Sequence, residues 1–222
     1  VVPVSEVAGD EIYQAYVGSS ANPGLRDFAI AAEMVREHGA DPSVSLDINP
    51  SSRQTLHNLI ELGYLQPLID AGARIHQAGC NGCIGMGQAP ATDSISLRTV
   101  PRNFPDRSGT KEDRVYLCSP ETATASAITG EITDPRTLDM DYPRFEEPAA
   151  GLLIRGGKIR GVKTAKGTYH ADVVVNAAGA SAREVGLMAG IEIPVVPDSH
   201  EGGISAPMER FFDPLVVDIR PG

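Results

Sequence analysis

Short apolar patterns of the strand type alternate with capped helical patterns from residue 12 to residue 130, and this alternation constrains the fold more than any other feature. A strand, a helix and a further strand in succession favour a layered α/β fold, because parallel neighbours need a crossover connection. The sequence therefore predicts an α/β fold with a mainly parallel sheet, whose strands include residues 12–17, 43–48, 95–100 and 114–119.

Turn and cap residues mark where the helices between these strands begin and end. Asn22 can cap a helix whose first residue is Pro23, and Gly39 ends it after apolar residues at helical spacing. The segment NPSSRQTLHNLIELG, residues 49–63, repeats the Asn-Pro start and the glycine end. Ser119, which is followed by proline, is placed to cap a further helix.

The second part of the chain has a different pattern. Residues 134–149 combine three prolines and several acids without a period, which is typical of a linker or an extended segment. From residue 150 onward, short strands with glycine turns are predicted, and Ser181 with Glu184 forms a capping box for a helix over 182–189. The segment IEIPVVP predicts one more short strand.

Charge is unevenly distributed between these parts. The formal charge of -10 falls entirely on the first 149 residues, while the remainder is neutral. We therefore expect two domains, residues 1–148 and 149–222. The acidic balance argues against nucleic acid as a partner, because phosphate binding needs a basic surface. Since the chain begins with VVPVSEV rather than methionine, we expect it to be a fragment.

Cysteine content and hydropathy restrict the compartment. Three cysteines are an odd number, which argues against a disulfide framework and fits a reducing compartment. No apolar run approaches the roughly 20 residues of a membrane helix, and no signal peptide is recognisable. We expect a cytoplasmic protein without a membrane partner.

Two of the three cysteines, Cys80 and Cys83, lie in the glycine-rich segment QAGCNGCIGMGQ. Thiolates at this spacing can share one metal centre, and three interpretations remain open from the residues alone. The pair is half of a zinc site, a structural or redox pair, or a ligand pair for an iron–sulfur cluster. Glycine permits the close backbone approach that a bulky cluster requires.

Several motifs in register resemble the third domain of the aconitase and isopropylmalate dehydratase family, over roughly residues 10–148. They are YVGSSANPGLRDFAIAAEMV, GCNGCIGMGQ and RTVPRNFPDRSGTKEDRVYLCSPETATASAITG. The resemblance implies that Cys80 and Cys83 are ligands of a 4Fe-4S cluster. It also implies that Arg102 and Arg107 bind the carboxylates of a small-molecule substrate, a role that suits the planar guanidinium.

The family carries its third cluster cysteine in a GSCTN loop, and this chain has GSSAN, so Ser20 occupies the metal-ligand position. Serine is a poor ligand for a soft site. Cys118 offers no obvious substitute, because it lies in a strand pattern typical of the core. Pro101 and Asp106 also differ from the residues that are usual in the family.

The implied reaction removes and returns water on a hydroxy di- or tricarboxylate, with one cluster iron acting as a Lewis acid. In the family, the serine base and its His and Asp helpers belong to other domains. We therefore expect that this chain holds part of an active site and needs the missing domains for activity.

The tail resembles a middle segment of FAD-dependent oxidoreductases of the glycine/sarcosine oxidase type, on GGKIRGVKTAKGTYHADVVVNAAGASAREVG. The resemblance implies that the turn of Ala177, Ala178 and Gly179 lies next to FAD. A G-x-G-x-x-G fingerprint is missing from the sequence, so the tail alone should hold FAD poorly.

These observations favour one function over two others. The leading hypothesis is an iron–sulfur-dependent, aconitase-like hydro-lyase, with a partial, β-rich flavoprotein-like segment joined to its α/β domain. The alternatives are an FAD-dependent oxidoreductase of small amines or amino acids, and a non-catalytic remnant of a fusion.

Overall fold

The computed structural model describes residues 2–21, 23–111, 114–145 and 151–196. The chain forms two compact units, Val2–Glu147 and Pro148–Gly222. Compactness does not reveal whether two segments have separate origins, so the assignment of residues 1–148 and 149–222 to unrelated domains stays a prediction.

A five-stranded parallel sheet forms the centre of the first unit. Gln14–Gly18 (β1) lies in the middle, with Ser45–Asn49 (β2) and then Arg74–Ile75 (β3) on one side and Ile95–Arg98 (β4) and then Arg114–Leu117 (β5) on the other. The prediction of an α/β fold with a mainly parallel sheet is confirmed, and the strand limits differ from the predicted ones by only a few residues. The α-helices are α1 (Leu25–His38), α2 (Arg53–Glu61), α3 (Leu65–Asp70) and α4 (Pro120–Thr129).

The helix ends follow from local hydrogen bonds. Ser119 caps α4 as predicted, because its hydroxyl accepts a hydrogen bond from the Thr122 amide. The start of α1 differs: Gly24 is its N-cap residue, and the Asp27 carboxylate accepts the Gly24 amide at 2.9 Å. Pro23 is therefore not the first helical residue, and Asn22 lies outside the described residues.

The two faces of the sheet have opposite chemistry, because alternate residues of a strand point to opposite sides. One face is apolar and packs on the helices. Its strand residues are Ala15, Val17, Leu46, Ile48, Ile95 and Leu97, which pack in one cluster with Phe28, Ala32 and Val35 of α1 and Ala123 and Ala127 of α4. The other face is buried but polar, with Gln14, Tyr16, Asp47, Asn49, Ser96 and Arg98 each fully buried. Parallel sheets are usually apolar on both faces, so the polar face is a departure that needs a function or a structural reason.

The segment that follows α4 is packed against the first unit over its described part. Leu138 and Met140 contact the buried cluster that contains Ile30 and Met34, and the Tyr142 hydroxyl donates to Glu121 at 3.0 Å. The prediction of a linker or an extended segment over 134–149 stays a prediction, and Leu138 and Met140 show that its described part packs on the first unit. Its apolar residues have no period, but they fit a groove that the sequence alone does not show.

The second unit begins with an antiparallel three-stranded sheet of β6 (Gly151–Arg155), β7 (Lys158–Thr164) and β8 (Gly167–His170). It is followed by a short helix, α5 (Ala182–Met188). The predicted short strands with glycine turns correspond to this sheet. The predicted capping box is wrong, because Ser181 lies in a 3-10 turn and its side chain accepts no cap hydrogen bond.

The predicted run of short strands ends earlier than expected, and the predicted strand IEIPVVP is wrong over its described residues. Residues 171–178 and 191–196 contain no strand, and Val173 and Val175 are 77% and 81% exposed. A strand needs a neighbour for its backbone hydrogen bonds, and within the described residues β8 pairs with β7 alone. No described helix is both long and apolar enough to cross a membrane.

Gly18, the last residue of β1, provides a test of the sheet. Its φ is +131°, and a Cβ added there would lie 1.9 Å from the Asn49 backbone oxygen of the neighbouring strand. We expect Gly18→Ala to lower the free energy of unfolding by on the order of 3 kcal/mol, because β1 and β2 must separate.

The matched control is Gly9→Ala. Gly9 also has a positive φ, +90°, but an added Cβ would meet no atom within 4 Å, so only the backbone cost of about 1 kcal/mol is expected. Urea unfolding followed by circular dichroism measures both variants. Equal losses at the two positions would contradict the close approach of the strands.

Candidate functional site

Cys80 and Cys83 lie in the connection between β3 and β4, and the backbone of this connection accepts hydrogen bonds from Asn49 and Arg98, the last residues of β2 and β4. The chain moves from β1 outward to β3, then returns to the other side of β1, so the strand order reverses beside β1. Ligands of open parallel sheets bind in the crevice at such a reversal. The topology therefore places the cysteine segment where a ligand site is expected.

The two thiols are in contact and differ in acidity. Cys80 is exposed and Cys83 is buried, and their Sγ atoms are 3.0 Å apart. The pKa of the Cys80 thiol is lowered, mainly by its hydrogen bond with Cys83 and to a smaller extent by one with Ser20. The positive charges of Arg107 and Arg102 lower it further. The pKa of the Cys83 thiol is raised, mainly by burial and to a smaller extent by the hydrogen bond with Cys80. Cys80 is therefore the residue of the pair that ionises first.

The two arginines of the predicted substrate motif lie differently at this site. Arg107 is half-buried, and its guanidinium donates to the Cys83 carbonyl at 2.9 Å and contacts the Phe104 ring at 5.9 Å. Arg102 is exposed, and its charge reaches Cys80. Arg107 thus has a contact with the cysteine segment that the sequence did not suggest.

Ser20, Cys80 and Cys83 form a converging set of one hydroxyl and two thiols. Ser20 follows the end of β1, and its hydroxyl contributes to lowering the pKa of the Cys80 thiol. No group of three or more His, Cys, Asp or Glu side chains that could hold a metal ion occurs among the described residues. Any metal centre here must therefore use the serine oxygen, an external ligand, or only two thiolates.

Contacts within the chain explain why glycine is required at two positions near the cysteines. A Cβ at Gly82 would lie 2.3 Å from the Tyr16 hydroxyl, and one at Gly85 would lie 2.2 Å from the Ser108 backbone oxygen. Because they lack a Cβ, Gly82 and Gly85 let the cysteine segment pack against Tyr16 of β1 and against the backbone at Ser108. Space for a cluster is not needed to explain these two positions.

The polar face of the sheet carries the cysteine segment, and sequence reasoning missed it. The Tyr16 hydroxyl donates to Asn49 Oδ1 at 2.6 Å, and Asn49 Nδ2 donates to the Gly79 carbonyl at 3.0 Å. Tyr16 also packs with Cys83 and Val100 in a small buried cluster. Polar residues at every second position of β1, β2 and β4 were the signal that could have revealed this support.

A buried carboxylate anchors the start of the same segment. Asp47 Oδ1 lies 2.8 Å from His76 Nε2, while its other oxygen accepts the Gln14 amide at 3.0 Å and the Ser45 hydroxyl at 3.1 Å. The His76 ring lies 5.6 Å from the Tyr16 ring. Because buried polar groups must find partners, these contacts fix the chain just before Cys80.

Cys118 lies outside this arrangement. It packs against the apolar cluster between the sheet and the helices, and burial raises the pKa of its thiol to about 12. Its environment agrees with the interpretation that it is a core residue rather than a ligand.

The predicted flavin turn belongs to the second unit. Ala177 and Ala178 are exposed, and Gly179 begins a 3-10 turn with a φ of +54°. The Asn176 side chain accepts the Ala178 amide at 3.2 Å, so the turn is held locally. FAD binding by these three residues stays a prediction.

Comparison with known proteins concerns the first unit. Residues 3–130 match the sequence profile described as "Aconitase family (aconitate hydratase)". The 3-isopropylmalate dehydratase large subunit 1 of Methanopyrus kandleri is 44% identical over 138 residues, which is 61% of this chain and 33% of that protein.

Two further relatives show the same extent of similarity. The 3-isopropylmalate dehydratase large subunit of Mycolicibacterium smegmatis is 42% identical over 139 residues, 62% of this chain and 33% of the relative. The probable methanogen homoaconitase large subunit of Methanosarcina mazei is 40% identical over 139 residues, 62% of this chain and 35% of the relative. The chain spans about a third of the length of these curated relatives.

The unequal acidity of the thiols predicts their order of reaction. Alkylation requires the thiolate, so we expect iodoacetamide to modify Cys80 first, at a pH below the ordinary thiol range, because its pKa is lowered. Cys118, whose pKa is about 12, is the internal control and should react last. Tandem mass spectrometry across a pH series measures the order, and faster modification of Cys83 than of Cys80 would contradict it.

Proposed function

Because the chain belongs to the aconitase family, we propose that it supplies the cluster-binding surface and part of the substrate-binding surface of a hydro-lyase. The reaction would remove and return water on a hydroxy di- or tricarboxylate. The relatives are named as 3-isopropylmalate dehydratase and homoaconitase large subunits, and these names support the reaction class. The observation that carries the proposal is that the Cys80 and Cys83 Sγ atoms lie 3.0 Å apart, with the Arg107 guanidinium 2.9 Å from the Cys83 carbonyl.

The donor set fits an iron–sulfur cluster by its chemistry and position. Cys80 and Cys83 would hold the cluster as thiolates, and Ser20 would contribute its oxygen. When bound, the cluster supplies a Lewis-acidic iron for the substrate hydroxyl. Cys80, exposed and with a lowered pKa, is the thiol most ready to bind iron.

The arginines serve two tasks in this proposal. Arg102, with its exposed guanidinium, would bind a substrate carboxylate through two parallel N–H bonds. Arg107 holds the Cys83 carbonyl at 2.9 Å, and its charge favours the thiolate form of Cys80. One arginine would thus orient the substrate while the other orients the ligand segment.

Activity of the whole protein would need groups that lie elsewhere. The resemblance assigns the serine base and its helpers to other domains, and the chain covers about a third of its relatives. We propose that this part binds the cluster but does not turn over substrate alone. Since the relatives are named large subunits, a second subunit is a further proposed partner. Three free cysteines are consistent with the reducing cytoplasm that we propose as its compartment.

Anaerobic reconstitution with iron and sulfide, followed by desalting and an absorption spectrum, tests cluster binding. We expect a broad brown absorption that Cys80→Ser with Cys83→Ser abolishes. Ser20→Cys should increase cluster retention several-fold, roughly as a thiolate exceeds a hydroxyl for a soft centre, while Ser20→Ala, the matched control, should reduce it.

A colourless wild-type chain together with a colourless Ser20→Cys variant would overturn the proposal and favour a non-catalytic remnant. FAD is offered in the same experiment. A yellow chain whose colour survives the double cysteine replacement would support the flavin alternative instead.

Arg102→Lys tests the carboxylate contact. The lysine keeps the charge but loses the planar fork, so we expect about tenfold weaker binding of citrate or isopropylmalate to the reconstituted chain, measured by calorimetry. Arg36→Lys is the control, because Arg36 is an exposed arginine that pairs with Glu33 at 3.0 Å on α1. Equal affinity of Arg102→Lys and wild type would count against Arg102 as a substrate contact.

A further inference from the structure

Arg98, the last residue of β4, is fully buried on the polar face of the sheet. Its guanidinium donates hydrogen bonds to Ser96, Gly82, Gln14 and Gln88 and lies 5.0 Å from the centre of the Tyr16 ring. Nε donates to Ser96 Oγ at 3.0 Å, one terminal nitrogen donates to the Gly82 carbonyl at 2.8 Å, and the other donates to Gln14 Oε1 at 2.7 Å and to the Gln88 carbonyl at 2.9 Å.

Two of these acceptors are backbone carbonyls of the cysteine segment. Gly82 and Gln88 lie on either side of a glycine-rich stretch that contains Cys83. One rigid side chain therefore fixes this stretch at both ends. The part before Cys80 is held separately, through Asn49 and Asp47.

We propose that Arg98 is a positioning residue that holds segment 82–88 on the sheet and keeps Cys83 buried beside Cys80. Arg98 acts through the backbone of this segment and does not touch a substrate or a metal in this role. Its relevance to cluster binding rests on the proposed function. Its effect on the burial of Cys83 does not.

Arginine suits this position for a geometric reason. Its five N–H donors lie in one plane, so two carbonyls and two side-chain oxygens can be reached together. Ser96 and Gln14 are its neighbours on the sheet and fix the orientation of the plane. A lysine has one nitrogen on a flexible stem and cannot span the Gly82 and Gln88 carbonyls in the same way.

The charge of Arg98 is also linked to the anchor at the other end of the segment. The Gln14 amide accepts from Arg98 with its oxygen and donates to Asp47 Oδ2 with its nitrogen. A buried cation and a buried carboxylate are thus joined through one amide, and Asp47 in turn contacts His76. This network satisfies charges that would otherwise be costly to bury.

The test is the alkylation rate of Cys83 in the metal-free chain of 222 residues. The Cys80→Ser replacement is present in every variant, so that Cys83 is the one thiol left in the Cys-x-x-Cys pair. We expect Arg98→Lys to increase the Cys83 rate about tenfold, because the segment opens locally more often. Cys118 is the internal control and should change less than about twofold, since it packs on the opposite, apolar face. Arg36→Lys should leave both rates unchanged.

Arg98→Met removes the charge together with the fork, and we expect an increase in the Cys83 rate at least as large as for lysine. An unchanged Cys83 rate in Arg98→Lys would overturn the proposal. Equal acceleration of Cys83 and Cys118, or unfolding of Arg98→Lys, would also overturn it, because Arg98 would then support the whole sheet.

Reconstitution of Arg98→Lys with Cys80 restored separates this proposal from the proposed function. If the wild-type chain binds a cluster, the variant should lose it faster after desalting. If the wild-type chain binds none, the alkylation rates still decide the role of Arg98.

Discussion

The buried polar face of the parallel sheet is the constraint on which the rest of the first unit depends. Arg98 and Asp47 are completely removed from solvent, and each needs several hydrogen bonds to be stable there. The sheet supplies some partners through Gln14 and Ser96. The cysteine segment supplies the others through backbone carbonyls and His76. The same hydrogen bonds therefore satisfy the buried charges and shape the candidate site.

The candidate site follows from this arrangement. A segment held at Gly79 on one side and at Gly82 and Gln88 on the other leaves Cys80 exposed and Cys83 buried. The different environments separate the acidities of two thiols that are only 3.0 Å apart. The pair therefore consists of one accessible thiol with a lowered pKa and one protected thiol with a raised pKa.

Sequence reasoning was most successful where local rules and burial agree. Apolar strand patterns predicted four of the five strands of the first unit and missed the two-residue β3. Ser119 predicted the start of α4, because a hydroxyl cap needs only neighbouring residues. Sequence reasoning failed where the conformation of a segment depends on contacts with residues far away in the sequence. The sequence does not reveal that Leu138 and Met140 pack on a buried cluster, and the valines near residue 174 lack a neighbouring strand within the described part.

The sequence by itself determined which chemistry is available: two thiols three residues apart, a serine where the family carries its third cysteine, and two arginines in one motif. It also determined the α/β class, since period and caps are local properties. Only the tertiary structure decided that Arg98 and Arg107 donate hydrogen bonds to the Gly82 and Cys83 carbonyls. It also decided that a side chain at position 82 would collide with Tyr16. Those contacts join residues from different strands and loops, and no local pattern specifies which distant carbonyl a buried guanidinium will meet.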